Sequence, residues 1–414
     1  MLNTSTTIIF GADGYIGWPL ALHLGSRDND KIVLVDNLST RKLVKSVKSD
    51  TLIPIKSMKE RLSEYSRQTG KKNLTYVEAD AQDPKTVDRI IAKYKPDDIV
   101  HLAQQRSAPF SMVDQEHILY TELNNVATNL NILFSMIRHV PKAHLLKMGS
   151  MGEYGTPGVE ITEGDLEITR KGKKAKVMFP RMGGSWYHLS KIFDTYNVAV
   201  ANRFYNISAT DIMQGVVYGN RVDEITNDAL ATRFDFDSIW GTVINKYVVQ
   251  AVLLNKLLIY GKGKQTRGFL SLYDSINCLT LLRDNPADAG QYRVVNQIDE
   301  IYDTLQLAEK VRKIAVEYGI EADMENVENP RVESEQHDYQ VEHKILPSLG
   351  FRKEKSMETV LREIFEDVLK NKKRAVAMKK LIYPTVYWRT ATSMQVKDFA
   401  MPRDLMNTVK ERKK

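Results

Sequence analysis

The sequence predicts an α/β protein built on a doubly wound parallel sheet, with a smaller C-terminal lobe. Three observations carry this expectation. Short, continuously apolar segments alternate with longer segments of helical spacing through the first half of the chain. The first apolar segment runs directly into three regularly spaced glycines. After about residue 215 the alternation gives way to glycine-rich turns and long amphipathic stretches.

Taken in order, TTIIFGADGYIG reads as a buried strand, a glycine turn and a helix start. KIVLVD (31–36) is a second apolar strand, ending in an acid. NLTYVEAD (73–80), DIVHLA (98–103) and AHLLKMGS (143–150) are the third, fourth and fifth. Between them DPKTVDRIIAKY and NNVATNLNILFSMI have helical spacing. Strands of this kind are covered on both faces, and ligands sit beyond their carboxyl ends. Later, YGKGKQTRG is a turn, QYRVVNQ is strand-like, and LQLAEKVRKIAVEYG and METVLREIFEDVLKN are amphipathic helices of a second lobe that closes over the first. The expected division is 1–213 for the first lobe and 214–390 mainly for the second, with segments near 235–300 as candidates to rejoin the first. A basic peripheral tail, 391–414, contains an isolated Pro402.

Composition excludes several classes. Of 414 residues, 43% are hydrophobic and 27% charged, as in soluble globular proteins. No apolar run approaches the ~18 residues of a membrane span, and MLNTSTTIIFGADG lacks the features of a secretion signal. Cys278, in the helical segment DSINCLTLL, reads as a small core residue. As the lone cysteine it allows no intrachain disulfide and no thiolate metal cluster, so a reducing cytoplasm is expected. The histidines show no metal-ligand spacing, and no metal is expected. The net charge of +7 is spread out except for RKGKKAK (170–176) and the terminal KERKK. The former fits the tip of a solvated hairpin, and neither run interleaves with base-stacking aromatics, so nucleic acid is not expected as a partner. A modest positive field suits anionic substrates.

Gly11, Gly14 and Gly17 form G-x-x-G-x-x-G directly after the first strand. Glycine is needed where a tight turn lets backbone approach a pyrophosphate, and the helix N-terminus then offers free N–H groups. Asp36 ends the next strand, where a carboxylate binds the adenosine ribose diol and repels a 2′-phosphate. This is the Rossmann-type fingerprint, and it favours NAD over NADP; Arg41 nearby is the one contrary signal, because an arginine can accept that phosphate. Tyr15 and Ile16 inside the turn and Asn37 after Asp36 belong to the same expected grip. Asp80, with Ala81 beside it, ends the third strand within reach of the adenine amino group, although a turn-forming aspartate looks the same in sequence. Leu102 and Gln104 lie in the loop expected to pass beneath the dinucleotide.

Tyr187 and Lys191 stand at i, i+4, on one face of a helix. A phenol is a poor base at neutral pH, and an ammonium one turn away favours the phenolate. Such a tyrosine can take a hydroxyl proton while hydride leaves the same carbon. Ser150, at the end of the fifth strand, is placed to hold that hydroxyl. Together these residues resemble the extended short-chain dehydrogenase/reductase family, also called the NAD-dependent epimerase/dehydratase family. The resemblance implies a Rossmann lobe, a smaller substrate-binding lobe and a homodimer built on two helices per subunit.

The 4,6-dehydratases of that family carry T-D-E where this chain has Ser150-Met151-Gly152, with Glu153 one place later. The blocks AQQRSAPFSM (103–112), MGSMGEYGTP (148–157), SWYHLSK (185–191), QGVVYG (214–219), YGKGKQTRGFL (260–270) and NPRVESEQH (329–337) resemble the UDP-sulfoquinovose synthases. That likeness runs from residue 7 to about 389 and departs from the plant-type pattern at Ser150, where a threonine is usual. It implies UDP-glucose and sulfite as substrates, with NAD recycled in place. Glu153 and His188 are the candidates for work at C5 and C6, and Arg106 for sulfite or sugar oxygens. Arg267 and Arg331 are expected on the diphosphate, Gln214 and Gln265 near sugar or uracil. A sulfite-donor protein is compatible with this reading. The rival readings are a UDP-sugar 4-epimerase or 4,6-dehydratase and, from another class, a non-catalytic NAD-binding scaffold.

Overall fold

The computed structural model describes residues 5–27, 30–333, 336–337, 339–389, 401–402 and 405. The predicted strands are present as β1 (Thr6–Phe10), β2 (Lys31–Asp36), β3 (Leu74–Glu78), β4 (Asp98–His101) and β5 (His144–Met148). They are followed by a hairpin of β6 (Asp165–Arg170) and β7 (Lys173–Met178), then β8 (Ser208–Gln214) and β9 (Val216–Tyr218). The later strands are β10 (Lys256–Tyr260), β11 (Lys264–Ser271), β12 (Tyr292–Gln297), β13 (Glu300–Asp303) and β14 (Asp323–Val327). The helices are α1 (Gly17–Arg27), α2 (Ser39–Ser46), α3 (Met58–Thr69), α4 (Pro84–Tyr94), the single turn α5 (Ala108–Ser111), α6 (Gln115–His139) and α7 (Trp186–Tyr205). The second half adds α8 (Val243–Leu254), α9 (Leu272–Asp284), α10 (Thr304–Glu317), the turn α11 (Ile345–Ser348) and α12 (Met357–Lys370).

Seven strands form one all-parallel sheet in the order β12-β8-β5-β4-β1-β2-β3. The order reverses between β1 and β4, the place where open α/β sheets bind their ligands. Period-2 alternation sends Ile8 and Phe10 into one core with Val87 and Ile91 of α4, Leu133 and Met136 of α6 and Val198 of α7. Ile9 faces the other way, into a core shared with Leu20 and Leu24 of α1 and Leu279 of α9. That second core runs on without a break into Val248, Val311 and Ile364 of α8, α10 and α12. The second lobe is thus packed onto the sheet through a common apolar core.

Two late segments belong to the first lobe's sheet layer. QYRVVNQ, within the span near 235–300 that was a candidate to rejoin the first lobe, supplies the edge strand β12, paired residue for residue with β8 from Tyr292↔Ala209 to Gln297↔Gln214. α9 covers the face shared with α1. Pairing partners 83 positions apart in the chain leave no local trace, which is why the sequence alone left the lobe of this strand open. RKGKKAK does sit on the exposed β6–β7 hairpin, with Lys171 and Gly172 at its turn. The tail 391–414 lies outside the described residues except at Met401, Pro402 and Leu405. It was expected to be peripheral, yet Met401 and Leu405 are buried against Leu43, Phe110 and Trp240. Cys278 is buried in the core, as expected of a small apolar residue. No helix among the described residues is long and apolar enough to cross a membrane.

Candidate active site

Beyond the carboxyl ends of the central strands lies a cavity of about 510 Å³, roofed by the second lobe. Its wall includes the turn after β1, the ends of β2 through β5, Gln214 of β8, one face of α8, β11 and residues 331–333. The size suits a small-molecule site.

At one end the glycines explain themselves. Gly11 has φ +87°, and a Cβ there would come within 2.6 Å of the Leu102 carbonyl carbon. A Cβ on Gly17 would lie 2.2 Å from the Gly11 oxygen. Backbone is therefore packed against backbone, and the N-terminus of α1 is left facing the cavity as an anion cradle. The Asp36 carboxylate accepts the N–H groups of Asp13 (2.9 Å) and Leu38 (2.7 Å). Burial, with the neighbouring Asp13 charge, raises its pKa to about 6. Tyr15, Ile16, Asn37, Asp80, Ala81, Leu102 and Gln104 share this wall. These residues fit a dinucleotide. Arg41 departs from the expectation and does not line the cavity. Its guanidinium is turned onto Asp13 through two bonds of 2.7 Å.

In the middle, Ser185 caps α7, its hydroxyl accepting the His188 N–H, so Tyr187 falls in the first helical turn and Lys191 one turn on. Burial raises the Tyr187 phenol well above its usual range, and a hydrogen bond with Ser150 opposes that rise. Lys191 Nζ donates to the Met148 carbonyl (2.7 Å) and to the Gln104 side chain. Burial and the Lys147 ammonium lower its pKa to about 8. The His188 ring stands 5.1 Å from that of Tyr187, with Nδ1 2.9 Å from Ser185 Oγ. Burial and the charges of Arg331 and Arg267 lower its pKa to about 3, so the imidazole is neutral. A Cβ on Gly152 would meet His188 Nε2 at 2.2 Å. The histidine ring thus occupies the space that a glutamate at position 152 would need.

Glu153 is the second correction. It does not line the cavity and is fully buried beneath it. The helical turn Met151–Glu153 folds it back so that its carboxylate accepts the Ser150 N–H (3.0 Å), 2.8 Å from the Thr195 hydroxyl and 3.6 Å from Lys147 Nζ. Lys147, also fully buried, pairs with Asp211 at 3.1 Å. This charged knot supports the Ser150 loop and the base of Lys191. Sequence reading missed it, although a lysine inside the apolar strand HLLKM was the available signal.

At the far end Arg267, Arg331, Gln214 and Gln265 line the wall. Arg267 pairs with Glu333 and donates to the Thr266 carbonyl (2.7 Å), while Arg331 lies 5.5 Å from the Trp388 ring centre. Gln214 donates to Ser275 and Gln297, and Gln265 to the Tyr260 carbonyl. Arg106 reaches the cavity while paired with Asp235 and donating to the Trp240 carbonyl (3.1 Å). Lys246 was not anticipated. It is buried on α8 with its ammonium 5.4 Å from the Tyr260 ring centre, and burial beside Arg331 lowers its pKa to about 8. Among the described residues no cluster of three His, Cys, Asp or Glu side chains is suited to a metal ion.

The chain is matched from residue 7 to residue 296 by the model of the NAD dependent epimerase/dehydratase family, and it belongs to that family. Its fold is shared with UDP-glucose 4-epimerase of Bifidobacterium longum, solved with NAD+ and UDP, at a TM-score of 0.65 and 18% identity over 89% of this chain and 99% of that one. Within the family the chain is similar to the UDP-sulfoquinovose synthase of Sulfolobus acidocaldarius, 45% identical over 92% of this chain and 97% of the relative. It is 38% identical to the chloroplastic UDP-sulfoquinovose synthase of Spinacia oleracea, over 94% of this chain and 80% of that protein.

Proposed function

We propose that this protein is an enzyme that converts UDP-glucose and sulfite to UDP-sulfoquinovose, with NAD as a cofactor recycled in place. The observation that carries the reading beyond an epimerase is the His188 ring in the space at Gly152, beside Tyr187 and facing the cavity. An epimerase needs no group there, and an ordinary dehydratase would need the acid that His188 displaces. The 45% identity to a protein of this activity supports the same conclusion.

The glycine cradle and Asp36 would hold NAD, which would supply a reversible hydride acceptor for C4. Tyr187 Oη takes the C4 hydroxyl proton, Ser150 Oγ holds that hydroxyl, and the Lys191 ammonium lowers the cost of the phenolate. A ketone at C4 acidifies the C5 proton, which the neutral His188 removes. Its proton affinity is depressed first by burial and then by Arg331 and Arg267, and an anionic diphosphate on those arginines would offset the part due to their charge. The C6 hydroxyl leaves as water, taking the proton that His188 carried from C5; sulfite then adds at C6 as hydrogen sulfite, whose own proton goes to C5. The glucosyl unit and hydrogen sulfite thus yield the sulfonate and one water with no net redox change. Arg106, despite its bond to Asp235, presents a cation to the sulfite side, and Lys246 joins Arg267 and Arg331 on the diphosphate. Glu153 acts only by holding the Ser150 loop.

We also propose that a second copy covers the outer faces of α6 and α7, where Leu119, Leu123, Phe134, Phe193, Tyr196 and Phe204 are exposed. Light scattering at a mass of two chains would agree with this. Sulfite arrives free in this reading, and the buried, unpaired Cys278 fits a reducing cytoplasm.

The test is purified protein with UDP-glucose and sulfite, without added NAD, followed by mass spectrometry of the nucleotide sugars. The expected product has the C6 hydroxyl replaced by sulfonate. UDP-galactose or a 4-keto-6-deoxy sugar as the main product would overturn the proposal in favour of an epimerase or a dehydratase. Unchanged sugar, even with NAD supplied, would favour a scaffold.

A further inference from the structure

Asp13, the residue before the second glycine of the cradle, sits at the centre of a buried charge cluster. It is 2% exposed, and its carboxylate accepts from Arg41 Nε and Nη2 at 2.7 Å each and from Arg61 Nη1 at 2.8 Å. Arg61 is fully buried, lies 3.9 Å from the Trp18 ring centre and gives its other arm to the Ala231 carbonyl (3.2 Å). The Asp13 N–H donates to the carboxylate of Asp36 (2.9 Å). One residue therefore ties the acid that faces the ribose to two arginines.

The position of Arg41 gives this cluster a consequence. Ser39 and Thr40, its neighbours in the first turn of α2, line the cavity, whereas Arg41 does not. Its side chain reaches away from the wall, to Asp13 and to the carbonyl of Lys56 (2.9 Å). A guanidinium one residue from the ribose edge is the natural partner of a 2′-phosphate, which it can grip with two parallel bonds. Charge points the same way. Asp13 and Asp36 balance Arg41 and Arg61, two negative against two positive, and loss of Asp13 leaves one positive charge in excess.

We propose that Asp13 is a cofactor-specificity residue: by binding Arg41 away from the ribose and cancelling its charge, it secures the preference for NAD over NADP. Asp36 repels the 2′-phosphate directly, and Asp13 acts through Arg41 by withholding the group that would welcome it. The proposal rests on the dinucleotide reading of this site and is independent of the sulfite step.

The experiment exchanges wild type, D13N, R41Q and D13N/R41Q against equimolar NAD and NADP. Free nucleotide is removed by desalting, and the bound dinucleotides are extracted and quantified. D13N is expected to move the bound NADP:NAD ratio about tenfold toward NADP, the scale of one new charge-assisted hydrogen bond. The double variant is expected to return close to the wild-type ratio, because Arg41 carries the gain. A D13N ratio within about twofold of wild type, or an NADP gain that survives in the double variant, overturns the proposal. Should D13N fail to fold, R41Q alone still decides. It is expected to keep its bound NAD and its ratio, and loss of bound NAD there would make Arg41 a cofactor ligand and overturn the idea. Wild type that binds neither dinucleotide would sink the cofactor reading itself, a result distinct from an unchanged ratio.

Discussion

Around the glycine cradle two arginines, Arg41 and Arg61, face two acids, Asp13 and Asp36, and hydrogen bonds from both arginines and from the Asp13 N–H close the cluster on itself. At the opposite end of the same cavity, among the described residues, three cations, Lys246, Arg267 and Arg331, stand against one acid, Glu333. The cofactor end holds by shape and by backbone amides, since side-chain charge is already balanced there. The substrate end has a surplus of positive charge and little backbone cradle. A cofactor recycled in place, as proposed above, would suit the first plan, because nothing in it would have to leave. A diphosphate that enters and departs, as proposed above, would suit the second, because electrostatic attraction acts at a distance and is reversible. Between them lies the Ser150, Tyr187 and Lys191 set, where both ends must act on one carbon.

Tyr187→Phe tests that meeting point and should show the largest effect. Loss of the phenolic proton acceptor is expected to lower kcat about a thousandfold, with bound dinucleotide and the KM for UDP-glucose nearly unchanged. An unaltered kcat would remove Tyr187 from the chemistry.

Asp36→Ala addresses the balanced end. It removes the acceptor of two backbone N–H groups as well as the ribose contact, so retained dinucleotide should fall by roughly ten- to a hundredfold. UDP binding, measured by calorimetry, should hold; a parallel loss of UDP affinity would show that the two ends are not separable.

Arg331→Ala addresses the charged end, where a rise of about tenfold in KM for UDP-glucose is expected. That rise should shrink with added salt, with the dinucleotide still bound. A salt-independent effect would point to lost packing against Trp388 instead.

The smallest effect is one of pH. The Asp36 pKa is raised from 3.8 to about 6, so its neutral form is favoured in the folded, dinucleotide-free chain. The stability this confers is complete below 3.8 and is lost as pH rises through 6. Dinucleotide retention should run the opposite way, falling a few-fold from about pH 7 to about pH 5 as the ribose acceptor is protonated. Retention that is flat over this range would mean that Asp36 does not carry the ribose bond.

Much of the site was legible because its parts are local. A glycine forced by backbone contact, a strand-ending acid and a tyrosine–lysine pair one turn apart each leave a short pattern, and all of these line the cavity. Glu153 misled for the same reason that it attracted attention. A carboxylate beside a candidate catalytic serine reads as a catalyst, but whether it faces the cavity or the core depends on one helical turn. His188 was recognised as a candidate, while its relation to Gly152 joins two positions 36 apart and has no signature in either segment.

The sequence by itself determined the fold class, the cofactor cradle and the identity of the Ser150, Tyr187 and Lys191 set, because strand and helix periodicity and short spacings are properties of neighbouring residues. Only the tertiary structure decided which side chains share a space. It put β12 at the edge of the main sheet, buried Glu153 with Lys147 and Asp211, turned Arg41 from the ribose onto Asp13, and set Lys246 among the arginines. Each of those outcomes is settled by burial and by charge pairing between segments far apart in the chain. Such energies exist only once the core has closed and water has been removed from around the charges.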